Sequence, residues 1–184
     1  MFRSETDLIR GLRDGDGHAF EEFLRCYGPR VYDLHCWLCG DHTAAEDLTQ
    51  ETVLAVCRDI RKFRGHSSLS TWVHRIARNV ASRHLMRQGR ESVPLEDVRD
   101  LESPEDTDAS GRSALLRDRV REALALLPVT QRESVVLHCL HGLSHAEAAR
   151  ALGRPLGTVK WQIAQGLHAL RGALLQVGVD PDEL

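Results

Sequence analysis

The sequence of 184 residues lacks the patterns that membrane proteins and most enzymes carry. No run approaches the roughly 18 apolar residues of a membrane span, and no basic-then-apolar leader opens the chain, so we expect a cytoplasmic protein without membrane insertion. There is also no glycine-rich phosphate loop, no serine nucleophile elbow and no paired carboxylates in a cleft-forming pattern. We therefore expect no enzymatic activity and no cofactor.

The net charge is only −3, but opposite charges are segregated along the chain. Residues 58–90 contain nine Lys or Arg and one acidic residue, whereas residues 91–108 contain eight acidic residues and one Arg. A basic block this one-sided is typical of a nucleic-acid footprint, although a solvated helix face has a similar composition. The acidic stretch contains prolines and little apolar periodicity, which is typical of a linker.

Apolar periodicity predicts helices on both sides of this stretch. We predict an all-α fold with two small helical domains, residues 1–90 and 112–184, joined by an acidic flexible linker over residues 91–111.

The pattern of the N-terminal domain predicts several helices. Gly28-Pro29 should separate a helix over residues 18–26 from one over 30–39. Thr43 with Glu46 has the spacing of a capping box that would start another helix. After a loop at residues 63–68, a strong helical period predicts a further helix with its apolar side formed by Leu69, Trp72, Val73, Ile76, Ala77 and Val80.

The C-terminal domain carries a helix-turn-helix pattern, which makes its second helix a candidate for a DNA groove. Ser144 with Glu147 forms a capping box, and Gly153 suits the left-handed end of the first helix. The second helix should bury Val159, Ile163, Leu167, Leu170 and Leu174, and expose Thr158, Lys160, Trp161, Gln162 and Gln165. Many helical hairpins share this outline without binding nucleic acid.

Three motifs together resemble the extracytoplasmic-function (ECF) group of bacterial sigma factors in the sigma-70 family. Residues 45–52, Ala-Glu-Asp-Leu-Thr-Gln-Glu-Thr, are similar to conserved region two, and residues 63–79 are similar to its promoter-melting part. Residues 157–160, Gly-Thr-Val-Lys, are similar to region four. The resemblance implies a transcription initiation factor that binds the β′ and β subunits of core RNA polymerase, binds promoter DNA and is controlled by a separate anti-sigma factor.

The resemblance also implies roles for individual residues. Polymerase binding would fall to Asp47, Gln50 and Glu51. Minus-ten DNA would be bound and melted by Arg64, His66, Ser67, Arg75, Arg78, Asn79 and Arg83, with Asn79 capturing an extruded base. The minus-thirty-five element would be read by Ser144, Thr158, Lys160, Trp161, Gln162 and Gln165.

The second helix departs from the family where relatives commonly continue with Ser-Arg and a further Arg. This chain has Trp161, Gln162 and Gln165 instead. Losing cations weakens salt-dependent phosphate binding, whereas Gln can read adenine in the major groove. The resemblance therefore predicts promoter binding without predicting the sequence that is bound.

Two alternatives to a sigma factor remain open from the residues. One is an autonomous helix-turn-helix regulator. The other is a metal- or redox-responsive regulator, because the soft and imidazole ligands His35, Cys36, Cys39 and His42 are clustered. A second cluster contains His138, Cys139, His141 and His145. Against a metal site, small Cys residues are ordinary helical core in a reducing compartment, so we expect none.

Overall fold

The computed structural model describes residues 4–88 and 110–180, with side chains from residue 115 onward in the second range. All regular structure in these ranges is helical, and it confirms the expected all-α class with two helical domains. The first domain contains α1 (Glu5–Asp14), α2 (Gly17–Cys39), α3 (His42–Asp59), a 3₁₀ turn (Ile60–Lys62) and α4 (Leu69–Arg87). The second contains α5 (Ser110–Ala125), α6 (Val129–Val135), a π-helical segment (Val136–Leu140), α7 (His145–Leu152) and α8 (Leu156–Gln176).

Most of the predicted linker, residues 91–109, lies outside the described residues. Helix α5 begins at Ser110, which is inside the predicted linker bounds. Within residues 4–88 and 110–180, every helix is too short or too polar to cross a bilayer.

Helix α2 runs through Pro29 without a break, so the predicted division into two pieces was wrong. A proline inside a helix removes one backbone hydrogen bond. Residues on both sides of it, Phe23 before and Val31 and Leu34 after, are buried in the same core. Their shared burial favours one continuous helix over two.

The start of α3 also differs from its prediction. The carboxylate of Asp41 accepts a hydrogen bond from the Ala44 amide at 3.2 Å, so Asp41 is the N-cap and Thr43 lies exposed inside the helix. Asp at an N-cap satisfies an otherwise free amide in the first turn. The capping box predicted for Thr43 and Glu46 was therefore wrong.

Helix α8 packs on α6 through a glycine. A Cβ at Gly166 would lie 2.6 Å from Cγ2 of Val135, closer than two carbons can approach. The two helices therefore meet at Gly166, which is buried, while the neighbouring Leu167 is 43% exposed. The prediction that Leu167 belongs to the core was wrong, whereas Val159, Ile163 and Leu174 are buried as expected.

The two domains pack against each other. Helix α4 of the first domain lies along α7 of the second, and α2 contacts α5, α6 and the π-helical segment. Most of the buried apolar side chains of both domains belong to one continuous cluster. This closed arrangement places residues of the first domain's basic segment against the helix-turn-helix domain.

Candidate nucleic-acid interface

The loop before α4 is held at both ends. Ser68 caps α4 by accepting from the Thr71 amide at 3.2 Å, and the Glu5 carboxylate of α1 accepts from the Leu69 amide at 3.0 Å. Phe63, at the start of the loop, is buried against the half-buried Trp72, with 5.2 Å between ring centroids. This contact confirms that Trp72 packs on the core.

Between these fixed points most residues of the loop are exposed. Gly65 takes a φ of 73°, in the left-handed region that favours glycine. Arg64 and His66 are exposed and Ser67 is half-buried. All three residues of the loop that were predicted to meet minus-ten DNA are therefore accessible.

Helix α4 presents three different faces. Leu69, Val73, Ala77 and Val80 lie in the core of the first domain. A second face carries the exposed side chains of Arg75, Asn79 and Arg83, which are three of the residues predicted to bind minus-ten DNA. The third face, with His74, Arg78 and Ser82, contacts the second domain.

Arg78 is the exception among the predicted minus-ten residues. Its guanidinium donates to the Glu133 carboxylate of α6 at 2.8 and 3.3 Å, and its side chain is only 20% exposed. The expectation that Arg78 is a surface cation was wrong for this closed arrangement, because a carboxylate from the other domain covers it.

An accessible polar face lies on α3. Asp47, Gln50 and Glu51, the residues predicted to bind polymerase, are all exposed. Leu54 is 70% exposed and lies one turn further along the same side of the helix, at i+3 from Glu51. Sequence inspection missed Leu54, although its i+7 spacing from Asp47 and its apolar character on a polar face could have indicated it.

The α3 and α4 faces adjoin. Glu51 accepts from Arg83 at 2.8 Å, with both side chains about half exposed. An exposed ion pair of this kind contributes roughly 0–1 kcal/mol, so its main significance is position. It joins the acidic face of α3 to the basic face of α4.

The helix-turn-helix has the local structure that its sequence predicts. Ser144 accepts from the Glu147 amide and Glu147 accepts from the Ser144 amide, which is the predicted capping box. The Ser144 hydroxyl also donates to the Glu147 carboxylate at 2.7 Å, and this bond together with the donation from the Ser144 amide holds the pKa of that carboxyl below its usual value. Gly153 ends α7 with a φ of 64°, as expected. Ser144 is exposed, but its hydroxyl is committed to this cap.

The exposed side of α8 holds most of the predicted minus-thirty-five residues. Thr158, Lys160 and Gln165 are exposed, and Trp161 is 59% exposed despite its large apolar ring. Isolated exposed aromatics are common, but this one lies on the helix that follows the turn, where a groove contact would occur.

Gln162 does not share that face, and its prediction as an exposed reader was wrong. It is 8% exposed, and its side-chain oxygen accepts from Ser134 at 3.0 Å and from Arg154 at 3.2 Å. Buried amides need such partners, and here they come from α6 and from the turn before α8. Gln162 is therefore a structural residue of the domain.

The first Cys/His cluster does not converge on a common point. Cys36 Sγ lies 3.4 Å from His42 Nδ1, but His35 is turned away and bonds Thr52 at 3.0 Å. Across the residues that the structure describes, no three His, Cys, Asp or Glu side chains have metal-binding geometry. Burial also raises the pKa of the Cys36 thiol, which keeps it protonated and poorly reactive at neutral pH. The four candidates His35, Cys36, Cys39 and His42 thus fail as a ligand set.

The second cluster is likewise divided between different contacts. The ring centroids of His138 and His145 lie 4.2 Å apart, and His138 Nδ1 lies 2.7 Å from the Leu143 carbonyl oxygen. His141 instead faces the first domain, with its Nδ1 3.4 Å from Nε2 of His74. Cys139 is exposed.

Comparisons with known proteins agree with this architecture. The family model Sigma-70 region 2 matches residues 23–91, and Sigma-70, region 4 matches residues 117–170. The RNA polymerase sigma-H factor of Pseudomonas aeruginosa is 31% identical, over 95% of this chain and 96% of that protein. The ECF RNA polymerase sigma factor SigC of Mycobacterium tuberculosis is 34% identical, over 97% of this chain and 93% of that protein. The chain belongs to the ECF group of the sigma-70 family.

As an ECF sigma factor the protein directs transcription initiation, and catalysis belongs to RNA polymerase. This membership favours the sigma-factor hypothesis over the autonomous regulator. Among solved structures, the sigma factor RpoE of Bartonella quintana in complex with the anti-sigma factor NepR has a TM-score of 0.68 at 26% identity. The match covers 86% of this chain and 98% of that one.

Proposed function

We propose that the exposed face of α3 binds the clamp helices of the β′ subunit, and that the adjoining face of α4 with its loop melts the minus-ten element. The observation that carries this proposal is the continuity of the two faces across the Glu51–Arg83 pair. DNA held on α4 would then be opened directly beside the polymerase surface.

The exposed groups on α4 suit the chemistry of strand opening. Melting requires basic groups for phosphates and polar groups for the edge of a base that has left the stack. Arg75 and Arg83 supply the cations, and the exposed Asn79 amide can both donate to and accept from a base edge. Because Phe63 and Trp72 pack on the core, we expect polar edge contacts rather than stacking on these two rings to hold the base.

We further propose that α8 reads the minus-thirty-five element with Thr158, Lys160, Trp161 and Gln165, and that Ser144 approaches the backbone beside it. All five residues are exposed. Gln165 retains a free amide of the kind that reads adenine in the major groove. Gln162 is left out because its amide is engaged inside the domain.

The proposed domain division places polymerase and minus-ten binding in residues 1–90, a linker at 91–111 and minus-thirty-five binding in 112–184. The two family matches, which centre on these outer segments, support it. Core polymerase, through β′ and β, and promoter DNA are the proposed partners. A separate anti-sigma factor is a further proposed partner, supported by the likeness to a sigma factor solved with its anti-sigma factor.

Reconstituted transcription with core polymerase tests the assignment of the two faces. Replacing Asp47, Gln50 and Glu51 with Ala should abolish co-purification with core polymerase, whereas Asn79→Ala should leave co-purification intact and lose permanganate reactivity at the minus-ten element. Glu21→Ala, an exposed acid on α2, is the matched control and should change neither. Normal polymerase binding by the triple variant would contradict the role of α3.

A further inference from the structure

Glu133 is a fully bonded side chain at the boundary between the two domains, and three of its four hydrogen bonds cross that boundary. It lies in α6, is 3% exposed and accepts four hydrogen bonds. Two come from Arg78 at 2.8 and 3.3 Å, one from the Ser82 hydroxyl at 3.1 Å and one from Arg154 at 2.6 Å. A carboxylate offers about four lone-pair sites, so its capacity to accept is filled.

The two arginines come from the two parts of the protein that are proposed to bind DNA. Arg78 lies on α4, next to Asn79, and donates to its side-chain oxygen at 3.3 Å. Arg154 lies in the turn of the helix-turn-helix, just before Pro155 and the start of α8. Their side chains are 20% and 18% exposed, so neither is available to a phosphate in this arrangement.

Carboxylate and phosphate bind a guanidinium in the same way, through two parallel N–H donations to two oxygens. We propose that Glu133 is an internal substitute for promoter phosphate, which holds Arg78 of the first domain until the protein opens on polymerase and DNA, and Arg154 of its own domain until phosphate displaces it. This inference rests on the proposed DNA-binding roles of α4 and the helix-turn-helix. We call Glu133, Arg78, Ser82 and Arg154 the Glu133 clasp.

The closed arrangement itself is incompatible with reading both promoter elements. Elements centred at minus ten and minus thirty-five are about 25 base pairs apart, or about 85 Å along the duplex. In the structure, α4 packs directly against α7 of the helix-turn-helix. Both elements can be bound at once only if this contact separates, and with it the bonds from Arg78 and Ser82 of α4 to Glu133.

Other contacts across the same boundary support the closed form without involving DNA-binding residues. Arg132 donates to the Leu38 carbonyl at 3.0 Å, and Arg117 pairs with Asp33 at 3.1 Å. The Arg121 guanidinium lies 5.2 Å from the centre of the Trp37 ring. The Glu133 clasp is thus the part of the boundary that competes with nucleic acid.

The Glu133 clasp has the energetics of a reversible contact. Buried ion pairs gain little net free energy, because removing both charges from water offsets most of their attraction. On opening, Glu133 is exposed to water, Arg78 is freed for a phosphate, and promoter phosphate competes with Glu133 for Arg154. Binding of polymerase and DNA can therefore supply the free energy that separates the domains.

Glu133→Gln in the full-length protein tests this role, because it keeps the side-chain shape and removes the negative charge. The probe is a labelled 20-nucleotide single-stranded DNA of mixed sequence, titrated without polymerase. We expect roughly tenfold tighter binding than wild type. Two released arginines should also steepen the dependence of log affinity on log salt by about 1.4. Small-angle scattering should show a larger radius of gyration.

Glu122→Gln is the matched control, since it makes the same change in charge at a carboxylate paired with Arg119 inside α5. If both variants bind DNA equally and remain as compact as wild type, the proposal is overturned. Circular dichroism checks that Glu133→Gln is folded.

Ser82→Leu provides a second route that leaves α6 unchanged. It removes the hydroxyl that donates to Glu133 and places a larger apolar side chain against that carboxylate from the α4 side, so the radius of gyration should increase. A compact Ser82→Leu variant would also overturn the proposal. Scattering does not depend on polymerase, so a wild-type protein that fails in promoter transcription would contradict the proposed function while leaving this result standing.

Discussion

Helices α4 and α8 carry the two proposed DNA-binding faces, and they differ in charge. Helix α4 exposes Arg75 and Arg83 beside Asn79, whereas the first two turns of α8 expose Lys160 beside Trp161. Cations supply salt-dependent affinity, and apolar or amide groups read base edges. The comparison indicates that the minus-ten side contributes more of the electrostatic binding and that α8 depends more on shape and base contacts.

The two helices also reach their positions by different packing. Helix α4 buries a stripe that includes Val73, Ala77 and Val80, whereas α8 meets α6 at Gly166 with no space for a side chain. The minus-thirty-five domain should therefore be more sensitive to a single added side chain.

The largest loss of stability is expected from Gly166→Leu. A Cβ would lie 2.6 Å from Val135, so the substitution should destabilise the second domain by about 3 kcal/mol and lower its melting temperature. Gly172→Ala is the control, because nothing lies within 4 Å of its Cβ position and alanine favours helix. Equal melting temperatures for the two variants would show that α8 tolerates a wider spacing from α6.

The next largest effect is expected from removing charge, which should change the salt dependence of promoter binding more on α4 than on α8. Arg75→Gln with Arg83→Gln should reduce the slope of log promoter affinity against log salt by about 1.4 on opened strands, measured with holoenzyme. Lys160→Gln should reduce it by about 0.9 on duplex. The control is Arg10→Gln with Arg58→Gln, which removes two exposed charges elsewhere on the first domain and should leave the slope unchanged. A larger change from Lys160 than from the α4 pair would reverse the comparison.

Adjacent residues of α8 should have opposite phenotypes. Trp161→Ala should weaken promoter affinity about tenfold with little change in melting temperature, because the ring is exposed. Gln162→Ala should instead lower stability by about 1 kcal/mol, since Ser134 and Arg154 lose an acceptor. Thermal melts and promoter binding on the same samples check both, and a stability loss from Trp161→Ala would place that ring in the fold rather than in the groove.

The smallest effect concerns pH at the domain boundary. Burial lowers the pKa of His141 to about 4 from 6.5, with His74 adding to the shift, while the Asp33 carboxylate opposes it and Arg30 favours it. Burial also lowers the pKa of His74, against a hydrogen bond to the Ser70 carbonyl.

Because these pKa values are lowered, the closed form is most stable with neutral rings and loses stability as pH falls from about 6.5 towards 4. At pH 6, His141 alone should raise the opening constant about threefold over its value at pH about 7. Small-angle scattering across this pH range should show the radius of gyration increasing as the pH falls, and His141→Gln should flatten this pH profile. A wild-type profile that is already flat would show that His141 stays buried on opening.

Several features of the fold followed from local sequence. The Ser144–Glu147 box and the left-handed Gly153 were predicted because each depends on residues within one turn of helix. The same reasoning failed at Thr43, since Asp41, two residues earlier, provided the cap instead. It also failed at Pro29, where burial on both sides kept α2 continuous.

The candidate sites show where local periodicity stops being informative. It placed Asp47, Gln50 and Glu51 correctly on one exposed face. It already places Gln162 at i+3 from Val159, on the buried side of α8 and away from Trp161. It does not reveal the polar partner of that buried amide, because Ser134 lies 28 positions earlier in the chain.

By itself the sequence determined the helical class, the segregation of charge and the three motifs that identify an ECF sigma factor, because each depends on residues close together in the chain. Tertiary structure alone decided which of the predicted readers are free. Arg78 is held by Glu133, 55 positions away, and helix periodicity carries no information about a partner at that separation. Burial and pairing at the domain boundary, not residue type, separate the available cations from the covered ones.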